Sequence, residues 1–303
     1  MKNDKVSSIL LFDVGGTTIK CNAFYGGRTI LPLDIVVPSR SSSSKSEIMS
    51  SFYETIRKLK EESSTDEIAG LAFGFPGPFD YEKGIPYIRG VGKYESLYGI
   101  DFRKELCSID TDALISSSQF VFVNDIDAFA LGSIEKHKEL ERGRTLFVAI
   151  GTGTGSAFAV DGELRTSGPG IPENGWIYSL PFRNSIIDDY VSARGLAGIA
   201  EKVTGRKMEG KDLSRLAEKG DRKAIAVYEE FGRSVGEALL SVISSFSPDR
   251  IVIGGNIAKA NVYFGSALEN AAGQIPVIYI DDTSSCTFKG LESVFRRKYG
   301  IQV

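Results

Sequence analysis

Three glycine-rich junctions carry the first chemical signal in this sequence. Asp13-Val14-Gly15-Gly16-Thr17-Thr18, Gly151-Thr152-Gly153-Thr154-Gly155 and Gly254-Gly255-Asn256 each follow directly on a short apolar run. Glycine has no side chain to hold a ligand away, so backbone amides at such a junction can approach a phosphate closely. One junction of this kind is more often a plain turn; three in order along one chain point to phosphate binding. The first adds the Asp13 carboxylate and the Thr17 and Thr18 hydroxyls, a set suited to hydrated magnesium and a terminal phosphate, with Asp13 meeting the metal through water. Lys20 either adds charge to this group or is an exposed strand lysine, since alternation after Ile19 calls for a polar residue there.

Asn124-Asp125 ends another apolar run, residues 120–123, and opens a segment of helical composition, 126–138. A polar pair in that place is either a helix cap or a site. The site reading is preferred: a hydroxyl attacking phosphorus must lose its proton, which Asp125 can accept while Asn124 orients a neighbouring hydroxyl. Asp127 is expected to face elsewhere. The chain has no Walker A sequence, protein-kinase catalytic loop or complete dinucleotide fingerprint, so phosphate binding needs another architecture.

The elements that must position these residues alternate between strand and helix. Residues 9–12 and 19–25 read as strands around the first junction, with Gly26-Gly27 as a hairpin turn and 30–37 as the returning strand. Residues 39–46 are nearly all serine, too polar to pack, and are expected as a mobile connector. Ile48, Phe52, Ile56 and Leu59 recur at helical spacing over 47–59. A strand at 68–73 runs into the proline-broken loop Gly74-Phe75-Pro76-Gly77-Pro78.

The second junction repeats the layout of the first, with strands at 145–150 and 156–160 and a turn at Asp161-Gly162. Asp13-x-Gly15 and Gly151-x-Gly153 are offset by 138 residues (151 − 13), which reads as two related halves. Helices dominate beyond Asp188, followed by strands at 250–253 and 277–280 and a closing amphipathic helix at 291–299. The mixture gives an α/β class with two lobes. The expected lobes are residues 1–123 with a C-terminal helix at about 291–303, and residues 124–290.

At 303 residues, the chain is long enough for two domains with substantial cores. Hydrophobic residues at 42% and charged residues at 25% are ordinary for a soluble globular protein. A net charge of −3 gives no electrostatic footprint for nucleic acid or an anionic membrane. No run approaches the roughly 18–20 apolar residues that span a bilayer, and the charged start, residues 1–8, is unlike a signal peptide. Cys21, Cys107 and Cys286 are odd in number and far apart, which fits a reducing compartment. The expectation is a cytoplasmic protein with neither nucleic-acid nor membrane partners.

The order of motifs resembles the ROK family of sugar kinases and repressors, in the actin-like ATPase superfamily, over nearly the whole chain. The matching segments are Asp13 to Thr17, Gly74 to Asp80, Asn124-Asp125, Gly151 to Gly155, Glu173 before Gly175, Tyr190 to Leu196, and Ile253 to Asn256. The resemblance implies a two-lobed, ribonuclease H-like fold with the active site in the interdomain cleft. It implies an ATP-dependent, glucokinase-like kinase that phosphorylates a hexose hydroxyl, using ATP and Mg²⁺. By the same resemblance, Asp13, Gly15, Gly16, Thr17, Thr18, Gly151, Thr152, Gly153 and Thr154 contact the ATP phosphates. Gly254, Gly255 and Asn256 border the adenosine, Asp125 is the general base, and Gly77, Asn124 and Glu173 line the sugar pocket. A homodimer, with the last helix returning to the N-terminal lobe, is also implied.

The pattern breaks after Glu173. Typical members place a glycine and a histidine there and then a cysteine cluster that binds zinc. Here Trp176 stands at that position, no cysteine lies between Cys107 and Cys286, and the single histidine, His137, sits in a charged stretch. No zinc is expected. The family's second sugar-contacting glutamate corresponds to Asp188, either a shorter sugar ligand or a helix N-cap. Trp176 either stacks on an apolar sugar face or is core. Arg89 and Lys93 either reach a charged substituent or face solvent. The hexose stays open, with an N-acetylated amino sugar as an alternative acceptor and polyphosphate as an alternative donor. The alternative function is a non-catalytic sugar-binding regulator of the same family, although the first strand starts too close to Met1 for a helix-turn-helix module to precede it.

Overall fold

The computed structural model describes residues 7–300 except Val91, Ser116 and Gln274. The charged start, residues 1–6, and the last three residues of the expected C-terminal helix, 301–303, lie outside the described residues.

The elements run β1 (Ser7–Val14), β2 (Thr18–Tyr25), β3 (Arg28–Thr29), β4 (Ile35–Pro38), α1 (Lys45–Glu62), β5 (Glu67–Phe75), β6 (Phe79–Asp80), β7 (Ile85–Pro86), α2 (Phe102–Ser108), β8 (Gln119–Asn124) and α3 (Asp125–Lys136). They continue β9 (Arg144–Ile150), β10 (Thr154–Val160), β11 (Glu163–Arg165), β12 (Pro181–Phe182), β13 (Ser185–Ile186), α4 (Ile187–Tyr190), α5 (Ala193–Thr204), α6 (Gly210–Glu218) and α7 (Arg222–Phe246). The last are β14 (Arg250–Gly254), α8 (Asn261–Ala271), β15 (Val277–Tyr279) and α9 (Thr283–Tyr299). The chain divides into a first unit, residues 1–136 and 284–303, and a second, residues 137–283.

In the first unit the sheet order is β3-β2-β1-β5-β8, with β4 also on β2. β1 pairs antiparallel with β2 and parallel with β5, and β5 pairs parallel with β8. Both faces of β1 are covered. Leu10, Phe12 and Val14 join a core with Ile48, Phe52 and Ile56 of α1, while Ile9 and Leu11 pack with Ala128 of α3 and Phe288, Leu291 and Phe295 of α9. This explains why β1 reads as a continuous apolar run rather than an alternating one. Phe12 stacks on Phe73 at 4.7 Å, and Phe52 meets Phe102 edge-on at 5.1 Å, so aromatic rings fill the α1 side.

α1 starts at a capping box. Glu47 N–H donates to Ser44 Oγ, and Ser44 N–H donates to Glu47 Oε2. The serine-rich stretch is therefore not the free connector its composition suggests: Ser44 caps a helix and Ser39 is fully buried. Of the expected strand over 30–37 only the end forms, as β4; β3 precedes it at Arg28–Thr29, and Leu33 is well exposed between them. Both expected hairpin turns form. Gly26 and Gly27 link Tyr25 to its partner Arg28, and Asp161 and Gly162 link Val160 to Glu163, with positive φ at all four positions.

The second unit repeats the plan. Its sheet order is β11-β10-β9-β14-β15, with β9 antiparallel to β10 and parallel to β14. The long helix α7 lays Val227, Phe231, Val235, Leu239 and Val242 into a core shared with β9, β14 and α8. Gly232 and Gly236 let α8 approach closely, because a Cβ on either would collide with α8 backbone. The matching strand orders bear out the reading of two related halves.

The division also assigns α3 to the first unit, although the sequence boundary at Asn124 placed it in the second. The reason is packing: Gly132 of α3 and Gly290 of α9 bring the two helices so close that a Cβ on either would strike the other's backbone. α9 is correspondingly longer than expected, beginning at Thr283 rather than near Leu291.

Candidate functional site

The first-unit residues gather at the carboxyl ends of the parallel strands β1, β5 and β8, the ends where open α/β sheets bind ligands. Asp13 pairs with Gly74, and Gly74 pairs in turn with Val123. Two strand spacings, about 10 Å, therefore separate the backbones of Asp13 and Val123. Gly74 stands between them, where a Cβ would press on Thr287 Cγ2 at 3.3 Å and make ordinary contact with Phe12 O and Asp125 Cα at 3.6 Å.

Asp13 is half-buried, and Ser284 Oγ donates to its Oδ2 at 2.9 Å. Lys20 Nζ donates to the same serine at 2.8 Å. Lys20 is thus part of the site's wiring, not simply a solvent-facing strand residue. Loss of hydration pushes the Asp13 carboxyl up to about 6, opposed by the Ser284 bond and the Lys20 charge and reinforced by Asp125. A carboxylate in that condition favours a bound cation. Among the described residues, no group of three or more His, Cys, Asp or Glu side chains is placed to hold a metal ion. A single carboxylate fits Mg²⁺, which keeps several waters and takes its other ligands from substrate phosphate.

The Gly15–Thr18 turn is tied back by its carbonyls. Gly15 O accepts Tyr94 OH at 2.9 Å, and Gly16 O accepts both Ser39 Oγ and Ser41 Oγ at 2.7 Å. Thr17 O accepts Ser39 N–H and Thr18 O accepts Gly15 N–H. With four successive carbonyls bonded to protein donors, their negative ends are withdrawn from competition with an anion. Gly15 itself is required, because a Cβ would stand 2.8 Å from Thr18 O.

Asn124 takes the cap reading and has a second side-chain partner besides. Asn124 Oδ1 accepts Ile126 N–H at 3.2 Å, which caps α3, while its Nδ2 donates to Tyr81 OH at 2.8 Å. Tyr81 OH donates in turn to Phe75 O at 3.0 Å. Gly77 lies against the same pair, 3.2 Å from Tyr81 OH and 3.5 Å from Asn124 Nδ2 as measured from a built Cβ, beside a cis Gly77-Pro78 bond. Burial raises the Asp125 carboxyl above the ordinary range, partly offset by Lys93 and by its bond from Ile126 N–H. Burial and the Asp125 charge push Asp127 up to about 6, so Asp127 is electrostatically part of this group although the sequence placed it elsewhere. Arg89 is held over the Tyr98 ring at 3.6 Å.

In the second unit, Gly151 N–H donates to Gly153 O and Gly151 O accepts Ala193 N–H from the start of α5. Thr154 N–H donates to Asp188 Oδ1 at 2.7 Å, and Thr154 Oγ1 donates to Val191 O. Gly254 and Gly255 turn directly over the end of β9: Gly255 has φ +92°, its Cβ would collide with Ile150, and its N–H donates to Thr283 Oγ1. Asn256 is exposed beside it. Glu173 is exposed on a single 3₁₀ turn, which Ser156 of β10 ties down through Gly175 O and Ile177 N–H. Trp176 is half-buried with its ring 5.9 Å from Tyr178, intermediate between the two readings given for it.

Sequence reasoning missed Tyr81, Tyr94, Ser284, Ser39, Ser41 and Arg194. A tyrosine four residues beyond Gly77 and serines in a low-complexity stretch carry no periodic signal, and Ser284 lies 271 residues from Asp13.

Comparison with known proteins gives a consistent picture. The chain is 26% identical over 288 residues to a glucokinase of Thermotoga maritima, covering 87% of this chain and 86% of that one. It is 25% identical over 271 residues to an N-acetyl-D-glucosamine kinase of Salmonella newport, covering 82% and 84%. The crystal structure of a ROK family glucokinase from Streptomyces griseus, in complex with glucose and AMPPNP, superposes with a TM-score of 0.76 at 16% identity, covering 96% of this chain and all of that one. That likeness and the duplicated strand order establish the actin-like ATPase fold. The ROK family model matches residues 10–281, and the chain belongs to the ROK family.

Proposed function

We propose that this chain is an ATP-dependent sugar kinase that phosphorylates a hexose hydroxyl, glucokinase-like, with Asp125 as the general base. The observation that carries the reading is the pairing of two unlike acids at the strand ends of the first unit. Asp13 is wired to a serine and a lysine; Asp125 is raised by burial and partly restrained by Lys93. Kinship to glucokinase and N-acetyl-D-glucosamine kinase sequences supports it.

In this mechanism Asn124 and Gly77, held by Tyr81, help to seat the sugar, and the family resemblance makes Glu173 a further sugar contact. Asp125 takes the proton of the attacking hydroxyl as its oxygen bonds to the terminal phosphorus and the bond to the ADP oxygen breaks. Gly15, Gly16, Thr17 and Thr18, with Gly151, Thr152, Gly153 and Thr154, hold the phosphates. Gly254, Gly255 and Asn256 border the adenosine. Mg²⁺, when bound near Asp13 through water, neutralises charge on the donor phosphates.

The test is a coupled ADP-release assay with Mg²⁺ and ATP over a panel of hexoses that includes glucose and N-acetylglucosamine. Asp125→Asn should lower kcat by about a thousandfold or more while leaving sugar affinity nearly unchanged. In the native chain, kcat/KM should fall on the acid side with an inflection above the ordinary aspartate value, because the base must be ionised and burial raises it. Sugar binding without sugar-stimulated ADP release would overturn the kinase reading in favour of a sensor.

A further inference from the structure

Asp188 was a candidate sugar ligand, but its carboxylate is engaged elsewhere. Oδ1 accepts Thr154 N–H at 2.7 Å, and Oδ2 pairs with Arg194 of α5 at 2.7 Å. Only about a fifth of the Asp188 side chain is exposed, and Arg194 also reaches Asp189 at 3.2 Å. Gly153 is the residue that makes room, since a Cβ there would stand 3.1 Å from Asp188 Oδ1.

The backbone around Asp188 is fixed as well. Its N–H donates to Tyr178 O at 3.0 Å, and Ser192 Oγ donates to its carbonyl at 2.6 Å. The bonds from Thr154 Oγ1 to Val191 O and from Ala193 N–H to Gly151 O close the same seam. Residues 188–193 therefore form one clamp along the whole Gly151–Thr154 turn, and the Asp188 carboxylate is its charged member.

We propose that Asp188 is a positioning residue for the donor-phosphate hairpin, holding Gly151–Thr154 against the start of α5, and is not a ligand of the sugar. A charge-assisted bond to a backbone N–H is short and directional, so it fixes the turn more firmly than a neutral partner would. The inference rests on the kinase reading, in which this hairpin holds the donor phosphates.

Steady-state kinetics of the full chain test it, varying Mg-ATP and sugar separately with glucose or N-acetylglucosamine, whichever supports turnover. Asp188→Ala should raise KM for ATP about tenfold or more, because a loosened turn misplaces the phosphates. KM for the sugar should stay within about twofold. Asp188→Asn keeps an oxygen for Thr154 N–H but not the charge, so it should recover part of the loss. Asp188→Glu restores the acid length typical of the family but overfills the space beside Gly153, so it should resemble Asp188→Ala. A rise in sugar KM with ATP KM unchanged, or rescue by Asp188→Glu and not by Asp188→Asn, overturns the proposal. Should the native chain turn over no sugar of the hexose panel, the kinase reading fails by itself, and direct titration with Mg-AMPPNP still decides this one. Weaker binding by Asp188→Ala than by Asp188→Asn supports it, and equal binding by all variants overturns it.

Discussion

The two glycine turns, Gly15–Thr18 in the first unit and Gly151–Thr154 in the second, sit at the same place in the same strand order, yet they are stabilised in different ways. The first has its acid built in: Asp13 lies on β1 itself, and Ser284 from α9 orients it. The strand before the second turn, β9, carries no acid, and the acid of that turn, Asp188, arrives from α4 to bond the backbone. In the first turn, outside hydroxyls satisfy the Gly15 and Gly16 carbonyls, and the carboxylate beside it bonds a serine. In the second, an outside carboxylate satisfies an amide. The difference teaches that one backbone device, duplicated, can be specialised by where its carboxylate comes from.

The sharpest way to break this comparison is Asp13→Asn. If the first turn alone carries the cation, kcat should fall by about a thousandfold and the dependence on Mg²⁺ should shift to higher concentration. An Asp13→Asn enzyme with normal Mg²⁺ dependence would erase the distinction between the turns. Next in size is Gly290→Val. The α3–α9 approach it blocks sets where Asp125 and Ser284 sit, so overpacking should cost about 3 kcal/mol in denaturant unfolding. A variant as stable as the native chain would mean that these helices can separate without cost.

Ser284→Ala should act more gently, through Asp13. Loss of one bond to a carboxylate is worth about 1–2 kcal/mol, expected as a several-fold or larger rise in the Mg²⁺ concentration for half-maximal rate. The ATP affinity of the second unit's hairpin, measured without metal, should not change. The smallest effect concerns Asp127. Its carboxyl is raised to about 6 in the folded chain, so the folded state binds the proton more tightly than the unfolded state does. That contribution to stability is complete below about pH 4 and is lost as pH rises through 6. Asp127→Asn should therefore stabilise the protein by about 1 kcal/mol at pH 7.5 and by almost nothing at pH 4, as followed by thermal unfolding. Equal effects at both pH values would exclude burial of the charge as the cause.

The sequence by itself determined the strands that end in glycine, because a buried parallel strand must be a continuous apolar run and a turn as tight as those at Gly15 and Gly255 has no room for a Cβ. It likewise gave both hairpin turns, the α/β class, the duplication and the acids Asp13 and Asp125, since all of these are written in residues close together in the chain. The serine-rich stretch shows where local reading stops: its composition calls for a solvated loop, yet Ser39 and Ser41 are spent on the Gly16 carbonyl. Tertiary structure alone decided the partners of the reactive groups, namely Ser284 on Asp13, Tyr81 on Asn124, and Thr154 and Arg194 on Asp188. A hydrogen bond depends on a few tenths of an ångström between groups that the chain can separate by hundreds of residues, and only the packed helices and sheets fix distances on that scale.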